Sequence, residues 1–278
     1  ATHATEKAAD AAKDSVDSLR CTERAYILAD VSPIDEIFPL NNAKDFRGPV
    51  EISNNRKTPA IFIKSEFVRC CVPKKMIFPP ISKSKPEINI KGFLKSKKQD
   101  VSIIPIKRLV SSSNTASTGN EKILSVNIRS QLSSLGKNID TLYERTFAEA
   151  LNLHLSYSKQ CLGEVYLIPT HEYDDKAMLR GQVVYKKVTK IEHYIEMFQA
   201  INSRSEANID AYKYERICLM IVDFRQKIPK LYSTTDELKK DGLIDKESTV
   251  SLENLAINNF AEDLLGIYTK RFGKGIIV

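Results

Sequence analysis

Two short runs do most to limit what this chain can fold into: CLGEVYLIP at 161–169 and RICLMIV at 216–222. A strand that alternates apolar and polar residues wets one face, whereas a near-continuous apolar run is covered on both. Between the two, Ile191, Tyr194, Ile195, Phe198 and Ile201 recur at helical spacing and give that helix one apolar side. Strand, helix and strand, with both strands buried, call for a sheet with helices packed against it.

The segments upstream extend the pattern. DVSIIPI, from Asp100, reads as a buried strand, SSSNTASTGN as a polar connection, and KILSVNIR as a second strand. In the latter Leu124, Val126 and Ile128 share one face and Ser125, Asn127 and Arg129 the other. After the polar loop SQLSSLGKN, the residues Ile139, Leu142, Tyr143, Phe147, Ala150 and Leu151 fit one helical face, and Thr141 and Glu144 have capping-box spacing at its start. SLENLAINNFAEDLLGIYTKRF reads as a final helix.

The order strand, strand, helix, strand, helix, strand, helix predicts an α/β fold, a mixed sheet flanked by helices over residues 91–278. Residues 1–90 form an N-terminal helical and irregular extension. It comprises an alanine-rich helix over the first twenty positions, short elements in AYILADVSPIDEIFPL, a strand or short helix in TPAIFIKSEFVRCCV, and a proline- and lysine-rich segment with more loop than core.

Charge points to an anionic partner. The net charge is +7 and the pI near 9.0. The excess is concentrated in VPKKMIFPPISKSKPEINIKGFLKSKKQD, where eight lysines stand between Lys74 and Lys98 against Glu87 alone. Phosphate backbone is the natural partner of such a segment, and a solvated lysine-rich loop is the alternative. No apolar run is long enough to span a bilayer, and the first residues lack the apolar centre of a secretory signal. Five cysteines without CxxC spacing give neither a zinc site nor a disulfide framework, so a reducing cytoplasm is expected.

The succession QDVSI, connection, ILSVNIRSQ, helix and apolar strand resembles the PD-(D/E)xK nuclease superfamily, which includes many type II restriction endonucleases. The resemblance covers roughly residues 92–225. It implies a restriction-endonuclease-like sheet in which an Asp at the head of one strand and a Glu on the next bind magnesium, while a Lys two residues beyond the Glu contacts the attacking water. Asp100 matches the first acid, whereas Asn127 and Arg129 stand at the other two positions.

That departure changes the chemistry. A phosphodiester resists attack until a hard cation withdraws charge from its oxygens and lowers the pKa of a bound water. Asn offers a carbonyl oxygen without charge, and Arg stays protonated and cannot act as a base. Some restriction enzymes of the superfamily move the second carboxylate to the following helix, where this chain has Glu144 and Glu149. A metal set of Asp100 with Glu149 or Glu144 is therefore expected, with Lys137 taking the water-orienting task. The bland alternatives are a surface pair of Arg145 with Glu149, a helix cap for Glu144 and a turn role for Asp100.

Lys95, Lys97 and Lys98 are expected on DNA phosphates, and Gln131, Ser133, Ser134 and Asn138 on phosphates or base edges. THEYDDKAML gathers His171, Glu172, Asp174 and Asp175 in what is more often a solvated acidic hairpin than a metal site. The expected function is magnesium-dependent, sequence-specific cleavage of double-stranded DNA by a homodimer. The alternatives are a catalytically silent DNA-binding module of the same fold, and a protein unrelated to nucleic acid.

Overall fold

The structure, a computed structural model, describes residues 58–80, 87–106, 120–178, 180, 182–226 and 229–277. The helix expected over the first twenty positions, the elements expected at 25–40 and the connection at 111–119 lie outside the described residues.

The strands are β1 (Ile77–Phe78), β2 (Ile88–Lys91), β3 (Ser96–Gln99), β4 (Val101–Ile103), β5 (Leu124–Ser130), β6 (Leu162–Pro169), β7 (His171–Tyr173), β8 (Tyr185–Val188), β9 (Arg216–Asp223) and β10 (Lys230–Tyr232). A six-stranded sheet runs in the order β1-β4-β5-β6-β9-β10. Its centre, β5 with β6 and β6 with β9, is parallel, and the remaining pairs are antiparallel. Every residue of β6 and β9 is buried, as their apolar runs require.

The principal helices are α1 (Thr58–Arg69), α2 (Leu135–His154), α3 (Ile191–Ala200) and α4 (Phe260–Phe272). On one side of the sheet α2 and α3 bury Ile139, Leu153, Ile195 and Phe198 against Tyr166, Ile168, Ile217 and Leu219. On the other, α1 and α4 bury Ile63, Phe67, Phe260 and Leu264 against Val126, Val165, Cys218 and Met220. The architecture is thus a mixed sheet flanked by helices on both faces. The boundary expected near residue 90 does not coincide with an edge of this core. Phe67 of α1 is fully buried in it, and β1 pairs with β4.

Of the strand or short helix expected in TPAIFIKSEFVRCCV the structure has the helix, because Ala60, Ile63 and Phe67 fall on one side of it. Three other local expectations are corrected. Part of the lysine-rich segment is a hairpin, β2 with β3, anchored by the fully buried Ile90. The helix α2 starts at Leu135, so Gly136, Lys137 and Asn138 are its first turn, and Thr141 and Glu144 lie inside it and cap nothing. A distant acid serves that end instead, with the Gly136 N–H donating to Glu172 Oε1 at 3.1 Å. The last helix begins only at Phe260, because Asn259 takes a left-handed backbone (φ 62°) that a continuous helix cannot contain.

Candidate functional site

The register of the sheet assembles the site. Val101 pairs with Val126, which sets Asp100 beside Asn127, and Asn127 pairs with Glu164 across the parallel ladder. Side chains alternate along strands, so Asp100, Asn127 and Glu164 form a row over three neighbouring strands, on the face that α2 covers. Arg129 lies on that face two residues further along β5, and Glu149 reaches down from α2 to meet it.

Glu149 is almost wholly buried and takes three donors. Lys97 Nζ and Arg129 Nη2 each stand 2.6 Å from its Oε2, and Asn127 Nδ2 donates to its Oε1 at 2.7 Å. The helix-borne carboxylate expected from the sequence therefore faces the strand row and is no surface partner of Arg145. Arg129 is forked. Its Nη1 donates to Thr146 Oγ1 at 2.8 Å, and its Nε stands 3.2 Å from Glu164 Oε1. Burial works against its charge, but Glu164, Tyr214 and Glu149 outweigh it and hold its pKa above the ordinary value.

Glu164 is the residue that sequence reasoning missed. It has no solvent exposure, and neither carboxyl oxygen has a hydrogen-bond partner of good geometry; the contact with Arg129 Nε is electrostatic. Burial pushes its pKa up to about 8, opposed by Arg129 and reinforced by Glu149 and Asp100. The pair is thus uneven: its carboxylate neighbours favour the charge on Arg129, while burial disfavours the charge on Glu164. The signal was present in the sequence: one acid inside a run otherwise fit for burial on both faces needs a partner, and CLGEVYLIP contains that acid.

Asp100 accepts the Ile128 N–H on Oδ2 at 2.7 Å. Burial raises its pKa to about 6 against that hydrogen bond, with Glu87 adding to the rise and Arg129 opposing it. It lines two adjoining clefts at the carboxyl end of β5 and β6. One, of about 520 Å³, is bordered by Arg129, Asn138, Arg145 and Tyr166, and the other, of about 320 Å³, by Lys97, Lys98, Asn127 and Glu149. Asp100, Arg129 and Arg145 line both.

The other sequence candidates fall outside this cluster or are engaged elsewhere. Lys137 is exposed in the first turn of α2, twelve residues before Glu149 and hence about 18 Å away along the helix. Glu144 is exposed and borders a neighbouring cleft with Lys95. Gln131 is buried: its Nε2 donates to the Ser134 carbonyl, and its Oε1 accepts the hydroxyls of Tyr166 and Tyr194, each at 3.1 Å. Ser133 bridges to Tyr173, and Ser134 precedes α2 in a left-handed conformation. Asn138 is exposed at the lip of the larger cleft, and Lys95 and Lys98 are exposed on the hairpin. His171 meets Arg225, Glu172 meets the start of α2, and Asp174 accepts the Ala177 N–H, so these three side chains have structural partners.

Among the described residues no group of three or more His, Cys, Asp or Glu side chains is arranged to hold a metal ion. In the cluster Lys97 and Arg129 stand against the carboxylates of Glu149 and Glu164. Hard oxygen donors for a divalent cation are nevertheless present. Asp100 and Glu164 flank Asn127 at about two strand spacings, roughly 10 Å between α-carbons. The oxygens of Glu164, lacking hydrogen bonds, suit a cation; those of Glu149 are already saturated. No protein-family model, curated protein or solved structure matches this chain. No helix among the described residues is long and apolar enough to cross a membrane.

Proposed function

We propose that this protein is a magnesium-dependent endonuclease of the restriction type, built on the PD-(D/E)xK plan and cutting double-stranded DNA at specific sequences. The observation that carries the reading is the row Asp100, Asn127, Glu164, whose first two members line the smaller cleft and whose third is fully buried beneath it with oxygens that lack hydrogen bonds. The order of strands and the helix crossing from β5 to β6 agree with it. The second acid of the motif has moved one strand along, from position 127 to Glu164.

In this reading Asp100 and Glu164 hold the cation and the Asn127 carbonyl supplements them. Glu149 holds the side-chain cations. Bound there, magnesium would draw charge from the scissile phosphate and lower the pKa of a coordinated water. Arg129, which cannot serve as a base, presents its guanidinium to phosphate charge. Lys97 stands beside the row, held at Glu149, and takes over the water-orienting task expected of Lys137. Asn138 and Arg145, exposed on the outer turns of α2, suit base edges and phosphates. A homodimer would present one such site to each strand of the duplex; sedimentation of the free protein and of its DNA complex tests that part.

The test is incubation with a supercoiled plasmid and magnesium, with mapping of the ends. Discrete fragments are expected from the unmodified protein and none from Asp100→Ala or Glu164→Gln. Full activity in Glu164→Gln would remove Glu164 from the site. One observation favours a second reading, a catalytically silent DNA-binding module: the three donors on Glu149 make the cluster self-neutralising without any metal. Duplex binding without nicking, at high protein and magnesium concentration, would select it.

A further inference from the structure

The hairpin β2–β3 forms a two-stranded sheet of its own beside the main one, and its tip has an unusual composition. Phe93 is 63% exposed and Leu94 83% exposed, at adjacent positions, with the exposed Lys91, Lys95 and Lys98 around them. Exposed apolar side chains at a loop tip are ordinarily mobile, but this tip is tied down. Asn152 of α2 accepts the N–H of Leu94 at 2.8 Å and of Lys95 at 3.2 Å on Oδ1, and donates from Nδ2 to the Lys95 carbonyl at 2.9 Å. Its backbone carbonyl accepts the Phe93 N–H at 2.8 Å. Gly92 permits this approach, since a β-carbon there would run into the Asn152 side chain. Four hydrogen bonds to one residue therefore hold Phe93 and Leu94 outward, where no described residue covers them.

We infer that this tip is a wedge for nucleic acid: Phe93 and Leu94 insert between stacked bases of a duplex while Lys91, Lys95 and Lys98 engage the flanking phosphates. Apolar side chains inserted at a base step, framed by cations on the backbone, are a recurrent way of kinking DNA. The choice of nucleic acid over an anionic membrane rests on position, and so on the nuclease reading above. Strand β3 leads from the tip straight into Asp100, and Lys97 within it contacts Glu149. Asp100 lies six positions beyond Leu94, at most about 20 Å of extended chain. At about 3.4 Å per base step, the wedged step lies within roughly six steps of the phosphate addressed by the acid row.

The test uses the full chain, without divalent cation, and short duplexes carrying single 2-aminopurines, whose fluorescence rises on unstacking. The unmodified protein should raise the fluorescence on binding. Leu94→Ser should lower the rise, and Phe93→Ser/Leu94→Ser should abolish it and weaken duplex binding about tenfold. Both variants change solvent-facing side chains, so thermal unfolding should match the parent. Gly92→Ala, which leaves both apolar residues in place but displaces the tip, should also reduce the rise. Saturated duplex binding with no fluorescence rise at any position would overturn the wedge while leaving the nuclease reading standing. A rise without magnesium-dependent nicking would do the reverse. Flotation of the protein with phosphatidylserine vesicles, lost in the double variant while duplex binding is unchanged, would also overturn it, in favour of a membrane-facing tip.

Discussion

Glu164 and Glu149 are both buried acids opposite Arg129, yet their surroundings give them different parts to play. Glu149 has a donor for each oxygen and two cations, so removing it strands Arg129 and Lys97. Glu149→Ala should cost about 3–5 kcal/mol of folding stability, read from denaturant midpoints; a loss under 1 kcal/mol would mean that the cluster carries no structural weight. Glu164 behaves oppositely. Its pKa in the folded chain, about 8, lies above the ordinary 4.5, so it binds its proton more tightly folded than unfolded. Its contribution to stability is therefore complete below about 4.5 and is lost as pH rises through about 8. Glu164→Gln should remove that decline, and its melting temperature should exceed the parent's at pH 9 but not at pH 5. A cation at Asp100 and Glu164 must displace the proton, so magnesium affinity should climb as pH passes about 6 and then about 8. Equal magnesium affinity at pH 6 and pH 9, by calorimetry, would take Glu164 out of the shell. Asp100, Asn127, Arg129 and Glu149 were legible as a constellation because alternation and motif spacing fix their side of the sheet. Glu164 was not, because the same apolar run that marks its strand as buried hides the one acid within it.

Elements were legible where one periodicity dominated. β6, β9 and α3 match their apolar patterns, since a run buried on both faces and a clean helical stripe each admit one secondary structure. Legibility failed where tertiary partners decide. Leu135 and Gly136 become helical because Glu172, thirty-six residues away, receives the first-turn N–H. The lysine-rich stretch becomes a hairpin because Ile90 finds a core and Asn152 finds its tip. Packing of α4 against the sheet depends on a similar long-range fit at Gly163 in β6. A β-carbon there would sit 2.8 Å from Leu264 Cδ1, 3.0 Å from Phe260 Cζ and 3.1 Å from Val126 Cγ2. Gly163→Val should therefore push α4 off the sheet and lower stability by about 1–3 kcal/mol, measured by chemical denaturation. An unchanged midpoint would show that the helix can shift at no cost.

Across the whole molecule the basic surface and the acid row meet along one strand, and this divides the lysines by task. The sequence groups Lys95, Lys97 and Lys98 as equivalent phosphate contacts, but Lys97 is largely buried against Glu149 at 2.6 Å while Lys91, Lys95 and Lys98 face solvent. Salt dependence can separate the two kinds, since each phosphate contact adds about 0.9 to the slope of log affinity against log salt. Replacing Lys91, Lys95 and Lys98 with Gln should flatten the slope by about 2.7 and weaken all duplexes alike, with folding stability nearly unchanged. Lys97→Gln should leave the slope within about 0.5 of the parent, because its ammonium is already neutralised by Glu149, but should lower thermal stability and any magnesium-dependent nicking. A Lys97→Gln slope change as large as one full contact would mean that Lys97 leaves Glu149 when DNA arrives, freeing that carboxylate for a cation. The metal set of Asp100 with Glu149 would then replace the set of Asp100 with Glu164, so a binding measurement without catalysis decides which acid the site uses.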